Sequence, residues 1–155
     1  MIRIEMEVDD HEVRELLGRL EARNGDLSDV MSSIGMEMES RISERFETES
    51  DPHGQPWAAW SAATVASYPE DGNARLLDRY GDMLISLSHQ YDRNSVAIGF
   101  GAEYAVYHEF GTATMPRRGL LFGDPDGEVL APDDARAVTE LLEDWLAGVF
   151  DEAAA

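Results

Sequence analysis

Histidines are the residues of this sequence that could bind a metal or transfer a proton near neutral pH. There are four of them, His11, His53, His89 and His108, each in a different segment of the chain. No two have the HExxH or HxH spacing that brings imidazoles onto one metal ion. Consecutive helical residues point about 100° apart, so the neighbours His108 and Glu109 do not form an acid–base dyad. We therefore expect surface or half-buried histidines and no metal site.

Two short stretches resemble ligand-binding loops only in part. Gly99-Phe100-Gly101 follows a strand and precedes a helix, but it lacks the third glycine and the lysine of phosphate-binding loops. The acidic run from Asp124 to Glu128 starts like a calcium loop, but its glycine comes too early and the distal glutamate is missing. No serine lies in a nucleophile elbow, and the chain contains no cysteine. The residues predict no catalysis, no cofactor and no metal.

The charge of the chain is its most unusual bulk property. Its 155 residues include 32 acidic and 12 basic residues, a formal net charge of −20, and every basic residue is arginine. Such self-repulsion destabilises a compact state in dilute buffer, whereas salt at 1 M screens charges beyond about 3 Å. An acidic chain without lysine favours a halophilic source. An acidic protein from a GC-rich mesophile, where arginine codons displace lysine, is the alternative.

The same charge bears on the partners of the chain. No basic stripe is present to displace counterions from phosphates, so sequence-independent DNA binding is not expected. No apolar run is long enough to span a bilayer, and the N-terminus lacks the apolar core of a signal peptide. We expect no membrane partner and assembly in the cytoplasm of a host.

The length fits a single domain of residues 1–155. Alternating apolar and charged residues, followed by a helical stripe, predict an N-terminal strand and helix over residues 1–25. Residues 26–150 are predicted to form the main core, and residues 151–155 a frayed tail.

Apolar spacing predicts an α+β fold. Apolar residues three and four apart predict a long helix from Asp26 or Ser28 to about Thr48, and a C-terminal helix opened by Pro132. A hairpin over about residues 83–100 is predicted to form a small antiparallel sheet. We expect this sheet to pack against both long helices.

Residues 95–112 are predicted to organise the fold. A strand leads to glycines that end it, and a short aromatic helix follows, closed by a further glycine. The aromatic side chains of this helix are expected mostly in the core, and a helical turn ahead of the hairpin ends in glycine. The residues predicted to hold the region together are Gly81, Gly99, Tyr104, Tyr107, Phe110 and Gly111.

Four stretches, in this order, resemble the tailed-phage virion morphogenesis family, whose members are tail-completion proteins needed for head–tail joining. They are Asp51-Pro52-x-Gly54-x-Pro56-Trp57-x-x-x-Ser61-x-x-Thr64, Leu76-Leu77-Asp78-Arg79-Tyr80-Gly81-Asp82-Met83-x-x-Ser86, Val96-x-Ile98-Gly99 with Tyr104-Ala105-x-Tyr107-His108-Glu109-Phe110-Gly111-Thr112, and Met115-Pro116-x-Arg118. The resemblance covers roughly residues 28–150. It departs from the family pattern at Tyr80, at residues 118–123 and at the insertion around residues 124–132.

The resemblance implies a structural virion protein of the neck, from a haloarchaeal tailed virus in view of the charge. It implies a homo-oligomeric, sixfold ring that contacts neighbouring neck and tail-tube proteins, with DNA passing through an acidic lumen without specific binding. Bulky or arginine side chains in loops are the expected contacts: Trp57, Trp60, Arg117, Arg118, Leu120, Leu121 and Phe122. For Trp57, Trp60 and Phe122, a place in the core is the alternative.

Three other functions remain open on the sequence. A tail terminator that caps the tail tube would have a similar small α+β body. A small cytoplasmic protein-binding adaptor would also lack catalytic groups, so the sequence fits it as well. A hydrolase using His108 with acidic partners is the least favoured alternative.

Overall fold

A computed structural model describes Glu15 and residues 26–154, with side-chain surroundings up to residue 148. The fold is α+β, as predicted. Its elements in chain order are helix α1 (Ser28–Thr48), helix α2 (Ala62–Ser67), helix α3 (Asp82–Ile85), strand β1 (Leu87–Tyr91), strand β2 (Val96–Phe100), helix α4 (Ala105–Phe110) and helix α5 (Pro132–Ala154). The predicted N-terminal strand lies outside the described residues, as does the following helix apart from Glu15, which is helical.

Helix α1 forms because its apolar residues recur every three or four positions. Val30, Ile34 and Met38 lie on this stripe and are buried, while acidic residues occupy the opposite face. The helix ends where Glu49 adopts a left-handed conformation with φ of 50°, and its N–H donates to the carbonyl of Arg45. The predicted bounds of this helix are confirmed.

Strands β1 and β2 form a two-stranded antiparallel sheet. Leu87 pairs with Phe100 and Tyr91 with Val96, so the chain reverses over the residues between Tyr91 and Val96. Strand β2 faces the core, whereas most of β1 is exposed. The predicted hairpin is therefore present, with β2 as its buried strand.

The start of the hairpin and the role of Gly99 differ from the prediction. The segment expected to begin the first strand forms helix α3, which follows Gly81 at a φ of 84°, a conformation that favours glycine. Gly99 does not end a strand, because it lies within β2 and pairs with Ser88. The helical turn predicted before Gly81 is an irregular loop.

The two long helices and the sheet enclose a continuous core. Helix α1 packs against both strands and against α5, which begins at Pro132 as predicted. The ring of Phe46 on α1 contacts Trp57, with centroids 5.7 Å apart, and Phe100, at 6.1 Å. At Gly35 the helix approaches β1 so closely that an added Cβ would lie 2.2 Å from the His89 ring. Backbone helix reaches Ala154, and the frayed tail remains a prediction.

Helix α4 is turned the opposite way from the prediction. Its buried residues are Ala105 and Glu109, four positions apart on one face. Tyr104, Tyr107 and Phe110, expected mostly in the core, are exposed. The physical reason is that the small Ala105 allows close packing, while the interior provides hydrogen-bond donors for the carboxylate of Glu109.

Candidate functional site

The residues predicted to contact other subunits lie mainly inside this chain. Trp57, Arg118, Leu120, Leu121 and Phe122 are buried. Trp60 and Arg117 are half-buried. This agrees with the alternative that Trp57 and Phe122 are core residues. An interface role for the buried members stays a prediction, and it would require this part of the chain to rearrange.

Residues 117–122 form neither helix nor strand although most of them are buried. We refer to them as the 117–122 segment. Buried backbone groups without hydrogen bonds are costly, so another part of the chain must supply partners. Glu109, with 0% of its surface exposed, supplies them. Its carboxylate accepts from the N–H groups of Leu120 at 2.6 Å, Leu121 at 2.9 Å and Phe122 at 2.9 Å.

Side chains also satisfy the carbonyl groups of the 117–122 segment. The indole N–H of Trp57 donates to the carbonyl of Gly119 at 3.0 Å, and Arg45 donates to the carbonyl of Leu120. Arg117 donates to the carbonyl of Phe122 at 2.6 Å, and it lies 3.2 Å from the carboxylate of Glu109. Helix α1, the loop before α2 and helix α4 thus hold one irregular segment in place.

A buried ion pair joins the same region to the C-terminal helix. Arg45 on α1 pairs with Asp134 in the first turn of α5, and both side chains are almost fully buried. Arg41, one turn away on α1, donates through Nε to the other oxygen of Asp134 at 2.8 Å. This hydrogen bond to Asp134 raises the pKa of Arg41 above its ordinary value. The two long helices are therefore fixed by ionic contacts as well as by apolar packing.

Sequence reasoning missed Glu109, Arg45 and Asp134. Arg45 and Asp134 lie on the buried stripes of their helices, near residues such as Phe46 and Val138, which is the available signal for these two. In so acidic a chain, a carboxylate near an apolar stripe is not informative alone. Apart from Arg117, the partners of the Glu109 carboxylate are backbone amides, which no residue type reveals.

A surface groove with a volume of about 710 Å³ lies beside α4. One part is lined by Trp60 and Tyr68, whose rings stack with centroids 4.5 Å apart. Another part is lined by Tyr104, His108 and Arg118. The groove therefore combines aromatic surface with a histidine and a buried arginine.

His108 and Arg118 are electrostatically unusual within this groove. Burial lowers the pKa of His108, and the positive charge of Arg118 lowers it further, which favours the neutral imidazole. The Nδ1 atom of His108 is the buried side-chain atom without a hydrogen-bond partner in the described part of the chain. Burial also lowers the pKa of Arg118.

Neither a metal-binding cluster nor a membrane-spanning helix is present among the described residues. Across Glu15 and residues 26–154, no group of three or more histidine, aspartate and glutamate side chains is placed to hold a metal ion. None of the described helices has the length and apolar character needed to cross a bilayer.

The chain belongs to the phage virion morphogenesis family, whose profile matches residues 8–147. This establishes the resemblance inferred from the four sequence stretches and indicates a virion-associated assembly protein. The family suggests a structural role.

Two curated relatives agree with this assignment. The chain is 24% identical over 143 residues to "Mu-like prophage FluMu G protein 2" of Haemophilus influenzae, covering 92% of this chain and 95% of that protein. It is 29% identical over 100 residues to "Putative capsid assembly protein G" of Escherichia phage Mu, covering 57% of this chain and 64% of that protein. No solved structure matches the chain significantly.

Proposed function

We propose that this chain is a structural virion protein that completes the tail and joins it to the head, as a component of the neck. The observation that carries the proposal is the family match over residues 8–147. The packing is consistent with a structural role. Three side chains in the stretches that resemble the family form hydrogen bonds to backbone groups: Trp57, Glu109 and Arg118. A connector needs such a rigid body, because its subunits must present the same surface at every position.

The proposed assembly is a homo-oligomeric ring, sixfold, that contacts neighbouring neck and tail-tube proteins. Residues exposed on α4 take the place of the buried ones as candidate contacts. Tyr107 is 57% exposed, and Tyr104 and Phe110 lie beside it with more than two fifths of their surfaces exposed. Tyrosine and phenylalanine are enriched at the centres of protein interfaces. Ring assembly would cover the exposed apolar surface of these side chains, which favours association, so they are suitable contacts.

The charge supports two further parts of the proposal. A net charge of −20 repels a passing duplex, so DNA can move through the ring without specific binding. The same charge, with arginine as the sole cationic residue type apart from histidine, suits a haloarchaeal tailed virus as the source.

Inactivation of the gene in the source virus, followed by electron microscopy of the lysate, tests the joining function. Separate filled heads and separate tails of normal length are the expected products, restored to complete particles by the wild-type gene. Tails of abnormal length would instead assign the chain as a tail terminator. Normal, infectious particles would contradict any essential role in assembly and favour an adaptor outside the particle.

A further inference from the structure

The groove beside α4 contains a positive charge that has no acidic partner among the described residues. Arg118 is 7% exposed, and its guanidinium donates to the carbonyls of Ala58 at 2.8 Å and Ala59 at 3.0 Å. Among the described residues, no carboxylate lies within ion-pair distance of it. A guanidinium carries five N–H groups, so within the described part of the chain these two hydrogen bonds leave other N–H groups without a partner. A buried cation without an anion is costly, and an incoming anion would offset that cost.

His108 adds a second polar side chain to the lining of the same groove. Its Nδ1 lacks a hydrogen-bond partner in the part of the chain that the structure describes. Its ring contacts that of Tyr104 edge to face, with centroids 6.4 Å apart, which restricts its orientation. The backbone N–H of Arg118 donates to the carbonyl of His108 at 2.8 Å, and both side chains line the groove. A carboxylate fits, since its oxygens accept from the guanidinium of Arg118 and its charge would stabilise a protonated imidazole nearby.

The other charged groups that line the groove do not form an ion pair with Arg118. Asp78 accepts from Asn73 at 3.2 Å and lies 3.8 Å from Arg75, so its carboxylate is already engaged. The Arg79 guanidinium lies over the ring of Tyr68, 5.3 Å from its centroid. The other titratable side chains lining the groove are Tyr80, Asp82 and Tyr104.

We propose that this groove is a socket for a carboxylate side chain, and that a second copy of this chain supplies it from the turn at residues 124–129. This rests on the proposed function, since it specifies how neighbouring subunits of the ring contact each other. The socket and the turn are different surfaces, because no residue of the turn lines the groove. Such a heterologous contact builds a ring when the rotation that relates neighbouring subunits closes, and an open filament otherwise.

Charge complementarity and a pre-organised backbone favour this turn as the occupant. Asp126 and Glu128 are exposed, so their carboxylates are available to a neighbour. A bridge between Asp124 and Val129 closes the turn, and the N–H of Asp126 donates to the side chain of Asp124 at 3.1 Å. A turn held in this way loses little conformational entropy on binding. Val129, 56% exposed, adds an apolar contact for the aromatic wall of the socket.

Sedimentation equilibrium in 2 M KCl, over micromolar to millimolar protein, tests the contact. The variant Asp126→Asn/Glu128→Gln removes two exposed carboxylates from the turn, and Thr114→Trp fills the socket from an exposed position. The matched control Glu140→Gln/Glu143→Gln removes two exposed carboxylates from α5. We expect self-association to weaken by about tenfold or more in the first two variants and to be unchanged in the control.

The imidazole of His108 reports the socket directly by NMR. A carboxylate beside it stabilises the charged form, so its pKa should be higher in concentrated than in dilute wild-type protein. This rise should be absent in the turn variant. Self-association that the turn variant retains at wild-type strength overturns the proposal. A wild-type chain that stays monomeric at millimolar concentration, with an unchanged His108 resonance, also overturns it.

Assembly assays separate this inference from the proposed function. If joining of heads and tails requires the chain but tolerates the turn variant, the proposed function stands and the socket contact is wrong. If Thr114→Trp alone blocks joining, the socket has a partner other than a second copy, which also overturns the proposal. If joining does not require the chain at all, the proposed function is contradicted irrespective of the socket.

Discussion

The carboxylate of Glu109 accepts a hydrogen bond from the backbone N–H of Phe122, 13 residues further along the chain, at 2.9 Å. With the N–H groups of Leu120 and Leu121, this contact turns an irregular stretch into part of the interior. Three apolar side chains are buried as a consequence. Helix α4 therefore supports the fold through its charged residue, while its aromatic residues face outward.

Replacing Glu109 with glutamine should strongly destabilise the chain. Glutamine is nearly the same size, but its NH₂ group cannot accept from backbone N–H groups, and the charge that attracts Arg117 is lost. We expect a loss of about 3 kcal/mol in the free energy of unfolding, measured by urea denaturation in high salt. The control Glu140→Gln, at an exposed position on α5, should change it by less than about 0.5 kcal/mol. Equal effects for the two variants would refute the role assigned to Glu109.

Gly35 should be intolerant of alanine although it lies within helix α1. An added Cβ would lie 2.2 Å from the His89 ring, so the helix and β1 would have to separate or the ring would have to move. We expect Gly35→Ala to destabilise the chain by about 1–3 kcal/mol. The second change His89→Ala should recover most of this loss, because it removes the ring.

Gly148 provides the matched control for Gly35. It is also helical, but nothing lies within 4 Å of an added Cβ, so Gly148→Ala should stabilise the chain by up to about 1 kcal/mol. Thermal or urea unfolding of the three variants and the wild type measures these differences. A Gly35→Ala variant as stable as Gly148→Ala would contradict the close approach of α1 to β1.

His108 should make stability decrease as the pH falls below neutrality. Its pKa in the folded chain lies below the ordinary value near 6.5, so the unfolded chain binds the proton more readily. The contribution of His108 is fully present above about pH 6.5 and is lost as the pH falls through that value towards the folded pKa. Unfolding of dilute wild-type protein and of His108→Gln should therefore give curves that diverge between pH 7.5 and pH 5. Parallel curves would show that His108 titrates normally.

The melting temperature should rise as potassium chloride increases from low to molar concentrations. The reason is the net charge of −20, whose repulsion extends about 10 Å at 0.1 M salt and about 3 Å at 1 M. Replacing Glu140, Glu143 and Asp144, which are exposed on α5, with lysine should weaken this dependence. A melting temperature that is flat or falls with salt would remove the argument for a halophilic source.

The long elements could be predicted because their periodicity is regular. Val30, Ile34 and Met38 mark α1, and the alternation of Val96, Ile98 and Phe100 marks β2. These features depend on the local pattern alone. The family resemblance could likewise be inferred from short motifs.

The environment of α4 could not be predicted, because it depends on contacts distant in sequence. Periodicity assumes that aromatic residues face the core, but here Glu109 is buried and Tyr107 is exposed. The carboxylate is stable in the interior only because the amides of the 117–122 segment meet it there. The predicted contact residues Leu120 and Leu121 lie in the core for the same reason, because the groups that bind their backbone are distant in sequence. A sequence pattern does not show where a backbone amide lies in the folded chain.

Cryo-EM of the intact virus particle tests whether this chain forms part of the junction between head and tail. We expect a ring of density at that junction into which copies of this fold can be placed, with α1 and α5 as its long helices. A map with a well-resolved junction built entirely from other proteins would contradict it.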